Sequence, residues 1–190
     1  MFAKRLCAFF TVSLYALSVI AADADPFAGC SSTSKEKIGE QKNVVMEKFK
    51  CPKKPGLDEA KIQSNGPLNV CGDRCDSSCY KDRPAPYYTS SDCDVLYKGI
   101  WYESQNHVQG NTFTIDAGDS AKFYYGTCLV YFVNKSDSNQ LKYCMNDLGS
   151  VLKYLTNDPN NACKSGGTCT SIDQSRPQWY IAAVGQNPTD

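Results

Sequence analysis

Three cysteines spaced four residues apart are the first feature of this sequence that points to chemistry. Cys71, Cys75 and Cys79 have the spacing at which thiolates on a helix converge on a metal ion, and several aspartates lie nearby. The same cysteines could instead form disulfide bonds. The destination of the chain decides between the two, because exported thiols oxidise.

The amino terminus predicts export. Lys4 and Arg5 precede an apolar run from Leu6 to Ala22, and small residues close the run. This layout is typical of a signal peptide, which we place at residues 1–22. A membrane span is the alternative, but the apolar run is short and no charged stop-transfer segment follows it.

Removal of the signal peptide leaves an even number of cysteines. Cys7 is lost with it, and an even count in an exported chain predicts five disulfide bonds of unknown pairing rather than a metal site. The three cysteines at intervals of four cannot all pair locally, so at least one must reach another region. The ten remaining cysteines are Cys30, Cys51, Cys71, Cys75, Cys79, Cys93, Cys128, Cys144, Cys163 and Cys169.

The charge balance argues against two classes of partner. Loss of Lys4 and Arg5 leaves 18 basic residues against 20 acidic ones, a net charge of −2. Such a balance predicts neither a nucleic-acid partner nor adsorption to a membrane.

The residues suited to acid–base catalysis are few. His107 is the single histidine, no Gly-x-Ser-x-Gly peptide occurs, and the mature cysteines are expected to be bridged, so acyl transfer has no evident nucleophile. Glu103 with Asp116 or Asp119 could form the carboxylate pair of a glycosidase. We expect no catalytic residue, cofactor or metal, and a protein that is not an enzyme.

The element that organises the domain is predicted at residues 123–133, FYYGTCLVYFV. Read as one strand, it has two apolar or aromatic faces, as a strand in the middle of a sheet does. Cys128 at its centre would tie the interior to another segment.

Other elements are predicted around this strand. Residues 99–102 read as a strand start, residues 112–116 and 178–184 as strands, and Ala117-Gly118-Asp119 as a turn. Residues 145–155 predict the main helix, since Met145, Leu148, Val151, Leu152 and Leu155 share one face. Leu152 should therefore be buried against the sheet.

The region before residue 91 predicts a different organisation. Thr33 with Glu36 forms a capping-box pattern, and apolar residues recur at roughly helical spacing up to Phe49, which predicts a short helix. We therefore expect an α+β fold with a small disulfide-stabilised antiparallel sheet, one main helix packed on it and an N-terminal helical arm. The expected divisions are residues 1–22, a cysteine-containing helical and loop region at 23–90, and an α+β domain at 91–190.

The sequence contains one usable glycosylation sequon, Asn134-Lys135-Ser136. It follows the predicted central strand in a polar run, where a glycan on Asn134 would be exposed to solvent.

A set of spacings and aromatic positions across residues 91–184 supports a family resemblance. It comprises Asp92-Cys93 with Leu96, Trp101, Phe113 with Ile115, Tyr125-Gly126-Thr127-Cys128 with Val130 and Phe132, Asn146-Asp147, and Gly166-Gly167 with Cys169. This set resembles the necrosis-inducing effector domain of secreted proteins from fungal plant pathogens. The resemblance implies a bridged sheet covered by a helix, similar to fungal killer toxins, and a virulence factor that acts outside the fungal cell.

Two functions of different class follow. The first is a secreted, monomeric, non-enzymatic effector in the host apoplast, or taken up into host cells, that binds a plant protein or receptor and induces cell death or is recognised as an avirulence factor. The second is a small hydrolase or carbohydrate-binding protein directed at cell walls. Alignment of Tyr87, Tyr88, Trp101 and Tyr102 on one open surface would favour glycan binding.

Overall fold

A computed structural model of the protein describes residues 26–53, 66–81, 87–106, 110–157, 163 and 165–188. The predicted signal peptide lies outside these residues. The elements in chain order are β1 (Ser31–Ile38), β2 (Val44–Lys50), β3 (Leu68–Asn69), β4 (Cys75–Cys79), α1 (Ser90–Asn106), β5 (Thr112–Ile115), β6 (Ser120–Tyr125), β7 (Cys128–Asn134), β8 (Leu141–Cys144), α2 (Met145–Thr156), β9 (Gly167–Ser171) and β10 (Trp179–Gly185).

Two sheets enclose the core. The large sheet has the order β1-β2-β6-β7-β10-β9-β4, and every neighbouring pair is antiparallel. The small sheet has the order β3-β8-β5, in which β3 and β8 are parallel and β5 and β8 antiparallel. The α+β class with a helix on an antiparallel sheet is therefore confirmed, and α2 is the helix that was predicted; α1 is a second helix beside it.

An aromatic cluster joins the two sheets. Phe113 of the small sheet makes edge contacts with Phe123 and Phe132 of the large sheet, at centroid distances of 5.4 and 5.7 Å. Trp179 stacks on Phe132 and is 1% exposed. The two helices contact each other and cover the remainder of this face, α1 over β6 and β7 and α2 over β10.

The predicted N-terminal helical arm is wrong. Residues 31–50 form the β1–β2 hairpin, in which the Thr33 hydroxyl donates to the carbonyl of Lys48 instead of capping a helix. Val44 and Met46 are buried at the spacing of two that a strand requires. β1, β2 and β4 belong to the same sheet as the strands that follow residue 91.

The predicted central strand is two strands joined by a tight turn at Gly126 and Thr127. Gly126 has a φ of +52°, and a Cβ at this position would lie 2.6 Å from Oδ2 of Asp92. The turn pairs Phe123 with Val130. Residues predicted on opposite faces of one strand therefore share a face, and both of these are fully buried.

The strand start predicted at residues 99–102 is also wrong, because these residues lie inside α1. By contrast, β5, the turn at Gly118, α2 and β10 confirm the corresponding predictions. Leu152 is fully buried, as expected.

Five disulfide bonds use all ten mature cysteines, as predicted. Cys71, Cys75 and Cys79 each bond to a distant partner, so the expectation that they do not all pair locally is confirmed. The pairs are Cys30–Cys51, Cys71–Cys144, Cys75–Cys169, Cys79–Cys163 and Cys93–Cys128. Within the described ranges, no helix combines the length and apolar character needed to cross a bilayer.

Candidate binding groove

A groove lies between α1 and the turn that joins β1 to β2, and we call it the α1 groove. Its volume is about 580 Å³, within the range of about 300–1,000 Å³ usual for small-molecule sites. Four aromatic and four carboxamide side chains dominate its lining. The lining residues are Glu40, Gln41, Asn43, Val95, Tyr97, Lys98, Gly99, Trp101, Tyr102, Gln105, Asn106 and Tyr125.

Helical periodicity explains why one element supplies most of the groove. Tyr97, Trp101 and Gln105 are four residues apart and form one stripe along α1, and Lys98 and Tyr102 begin a neighbouring stripe. The opposite side of α1 carries Cys93, Leu96 and Ile100, which are fully buried. Burial of that side leaves the aromatic stripes facing outward.

Glu103 fixes the wall of the groove. Its side chain is 5% exposed, and Oε1 accepts the backbone N–H of Gly39 at 2.7 Å and lies 3.5 Å from Nζ of Lys42. A buried carboxylate is stable only with such partners. The turn that carries Gln41 and Asn43 is therefore held against α1.

Close backbone packing brings the turn and the helix together. A Cβ on Gly39, whose φ is +86°, would lie 3.0 Å from Cα of Gly99, and a Cβ on Gly99 would lie 2.5 Å from a methyl group of Val44. Any larger residue at position 99 would push the hairpin away. Gly99, which lowers the helix propensity of this segment, is thus required for the hairpin to pack closely on α1 and form the groove.

The aromatic residues differ in how much surface they expose. Trp101 is 42% exposed, and its ring lies 6.1 Å from that of Tyr97 at an interplanar angle of 33°. Nζ of Lys153, from α2, lies 5.1 Å from the centroid of Tyr97. Trp101 is therefore the accessible ring, and Tyr97 supports it.

Tyr125 enters from β6, and a hydrogen-bonded turn fixes its position. Oδ2 of Asp92 accepts the hydroxyl of Thr127 at 2.6 Å and its backbone N–H at 2.8 Å. The hydroxyl hydrogen bond from Thr127 is the main cause that lowers the pKa of Asp92. The start of α1 is thereby tied to the end of β6.

The structure does not bring the predicted glycosidase carboxylates together. Glu103 contacts one end of the β1–β2 hairpin, and Asp119 accepts the backbone N–H of Cys51 beyond the other end at 3.0 Å. β2 between them spans seven residues, about 20 Å at roughly 3.3 Å per residue. Glycosidase carboxyl groups lie about 5–9.5 Å apart.

Asp116 and Asp119 instead stabilise the turn between β5 and β6. The backbone N–H of Asp119 donates to the carbonyl of Asp116, and Oδ1 of Asp116 accepts Nε2 of Gln140. Burial is the main cause that raises the pKa of Asp119. Both carboxylates therefore accept hydrogen bonds from other parts of the protein, Asp116 from Gln140 and Asp119 from Cys51.

The expected exposure of Asn134 is wrong. Asn134 is 0% exposed, and its Nδ2, the atom that would carry a glycan, donates to the carbonyls of Ile115, Asp116 and Asn139 at 2.8–3.1 Å. A glycan would break these hydrogen bonds. Asn134 therefore closes the end of β7 instead of presenting a sugar.

The four aromatics considered for a flat glycan surface lie at two separate places. Tyr87 and Tyr88 precede α1, and the Tyr88 hydroxyl donates to the carbonyl of Cys163. Trp101 lies eleven residues beyond the start of α1, about 16 Å along the axis at 1.5 Å per residue. Trp101 and Tyr102 line the groove, whereas Tyr87 and Tyr88 do not.

Sequence reasoning missed several groove residues because it did not place α1. Tyr97, Gln105 and the turn residues Gln41 and Asn43 were not expected at a site, although the spacing of four from Tyr97 to Gln105 was a usable signal. His107 lies outside the described residues.

One cluster among the described residues has side chains of the types that bind metal ions, and two of its three members are disulfide-bonded cysteines. Cys71 and Cys144 lie near Asp147, but their sulfurs are bonded to each other and cannot act as thiolate ligands.

The chain matches no protein-family model, and no curated protein matches it.

Proposed function

We propose that this protein is a secreted, monomeric, non-enzymatic recognition protein of the effector class, which acts on a plant host by binding. The five disulfide bonds fit an oxidising, extracellular destination. The resemblance across residues 91–184 supplies the effector class and the host. In that reading the partner is a host protein or receptor, and binding provokes cell death or recognition.

The α1 groove is the observation that carries the binding role. A rigid wall, an exposed tryptophan and several carboxamides form a preformed concave surface, as binding sites do. The charged side chains considered for catalysis bond to protein groups: Glu103 to Gly39 and Asp119 to Cys51. Their arrangement supports a structural role for both.

Leaf infiltration with purified protein tests this proposal. Trp101→Ala should abolish the response, because it removes the most exposed ring of the groove. Tyr154→Ala is the matched control, since Tyr154 is also 42% exposed on a helix but does not line the groove. Reduced and alkylated protein should be inactive.

Three results would contradict the proposal. One is a Trp101→Ala protein that melts normally and retains the full response. Another is a loss of response in Tyr154→Ala equal to that in Trp101→Ala. A third is loss of activity in Glu103→Gln with normal melting and normal ligand binding, which would indicate a catalytic carboxylate.

A further inference from the structure

We propose that the α1 groove binds a neutral, β-linked oligosaccharide of the kind found in cell walls. This inference rests on the proposed role of the groove as a binding site and adds the chemical class of its ligand: the groove contacts a glycan on the host side, such as one in the wall beside the receptor, rather than polypeptide.

The ring stripe supplies the stacking surface. Equatorially substituted sugar rings expose C–H groups on both faces, and these pack against the electron-rich face of an aromatic side chain. Trp101 exposes 42% of its surface at the groove, with Tyr97 and Tyr102 next to it. Trp101 therefore offers the main stacking face, and the half-buried Tyr97 and Tyr102 extend the aromatic surface on either side of it.

The polar lining matches hydroxyl groups. Gln41 and Asn43 lie on the turn, and Gln105 and Asn106 lie on α1, so carboxamides border the rings on both sides. Each carboxamide offers two donors and one acceptor oxygen, which suits a hydroxyl that both donates and accepts. Nε2 of Gln105 donates to Oγ of Ser104 and Nδ2 of Asn106 to the carbonyl of Tyr102, so each has one N–H and its oxygen left for a ligand hydroxyl.

The charges of the groove favour a ligand without net charge. Glu40 and Lys98 are the two charged lining residues, and Nζ of Lys98 lies 2.6 Å from Oδ2 of Asp94. No uncompensated basic cluster is available among these lining residues to bind a polyanion such as pectate. Opposite single charges equally give no reason to bind a polycation.

A peptide fits the same groove less well. Peptides bind by pairing with a strand edge, by placing an apolar helix face in an aliphatic groove, or by laying a proline-rich segment on aromatic rings. The lining consists of helix and turn residues with one from the end of β6, and Val95 is its one aliphatic side chain, so the first two modes lack their requirement. A proline-rich segment would find rings here, but proline has no N–H to offer the four carboxamide oxygens of the lining.

The two tryptophans provide a direct assay. Trp179 is 1% exposed and Trp101 is 42% exposed, so acrylamide should quench mainly Trp101. The probes are hexasaccharides of β-1,4-linked glucose, N-acetylglucosamine and xylose, with oligogalacturonate and glucosamine oligomers as charged comparisons. At least one neutral probe should change Trp101 emission saturably and protect it from acrylamide.

Variants locate the site by calorimetry, which needs no tryptophan. Trp101→Ala should weaken binding about tenfold or more, as loss of a central aromatic residue does. Gln105→Ala, which changes an exposed lining residue, should weaken binding by a few-fold. Tyr154→Ala should bind like the natural protein.

The inference is overturned if no neutral probe binds, if a charged probe binds more tightly than all neutral ones, or if Trp101→Ala and Gln105→Ala both bind normally. The two proposals fail separately. Loss of the leaf response in Trp101→Ala without glycan binding retains the groove and rejects the ligand class. Groove-dependent glycan binding with an intact leaf response in Trp101→Ala retains the ligand class and rejects the effector role of the groove.

Discussion

The burial of Asn134 makes a prediction about both modification and stability. Oligosaccharyl transfer acts on the unfolded chain, so a glycan on Nδ2 would have to be accommodated during folding. The three carbonyls that Nδ2 contacts, and the backbone N–H of Ser136 that Oδ1 accepts, leave no room for it. The folded protein should therefore carry an unmodified Asn134.

Asn134→Asp tests the same contacts energetically. The substitution removes two N–H donors, at about 1 kcal/mol of net stability for each hydrogen bond, and sets a buried carboxylate against carbonyl oxygens at a further cost of a few kcal/mol. We expect a total loss of about 4 kcal/mol. For a chain of this size, that lowers Tm by about 8–16 °C.

Two measurements check this prediction. Intact mass before and after treatment with a glycan-removing amidase should be the same, and thermal unfolding should show the large loss for Asn134→Asp. Asn106→Asp is the matched control, because it makes the same chemical change on an exposed side chain and should cost about 1 kcal/mol or less. A glycan on Asn134, or equal Tm values for both variants, would refute the reasoning.

Four further predictions concern stability and the state of the cysteines. Leu152→Ala should cost about 2–5 kcal/mol because Leu152 is fully buried, whereas Lys153→Ala should cost about 1 kcal/mol or less; equal losses of Tm would show that the buried face of α2 is misassigned. Removal of the Cys93–Cys128 bond by a double alanine substitution should cost about 4 kcal/mol for its separation of 35 residues, and the denatured, unreduced natural protein should show no free thiol on titration. The pKa of Asp92 is lowered from its ordinary value of 3.8, so the stability that the Asp92 carboxylate contributes is present above pH 3.8 and is lost as the pH falls through and below that value. The difference in Tm between the natural protein and Asp92→Asn should therefore shrink in that pH window. A difference in Tm that stays constant with pH would contradict the role assigned to Asp92.

The elements that sequence predicted correctly have a single clear period. In α2, Met145, Leu148, Leu152 and Leu155 repeat at helical spacing and all are buried. β10 is a short apolar run that follows a turn. In these segments local pattern and tertiary environment agree, so the sequence alone suffices.

The elements that were predicted incorrectly contain a turn or a close contact that the sequence does not reveal. The two-residue turn at Gly126 does not interrupt the apolar run of β6 and β7 in the sequence. Because the chain changes direction at this turn, residues predicted on opposite faces of one strand lie on the same face of the sheet. In α1, Gly99 was interpreted as the start of a strand, although it is the point inside the helix where Val44 approaches. The signal for the helix was Thr89, whose hydroxyl accepts the N–H of Asp92.

The candidate site was less predictable than the fold. Trp101 and Tyr102 were among the four aromatics whose alignment would favour glycan binding, but their partners Gln41 and Asn43 come from a hairpin nearly sixty residues earlier in the chain. The contact of Glu103 with Gly39 and the close packing of Gly99 on Val44 bring the two segments together. Such a contact has no local signature in sequence.

For the secreted protein that we propose, the span of the disulfide bonds has a consequence for how the chain matures. The Cys30–Cys51 bond closes 21 residues and can form as soon as the hairpin has crossed the membrane, but the partners of Cys71, Cys75 and Cys79 lie 73–94 residues further along the chain. Until those partners arrive, the three early cysteines meet an oxidising environment in the company of each other and then of Cys93 and Cys128, which precede the native partners in the chain. Premature bonds among them can be corrected only by thiol–disulfide exchange. The yield of native protein should therefore depend on isomerase activity in the secretory pathway, and refolding in a strongly oxidising buffer without free thiol should trap mispaired forms.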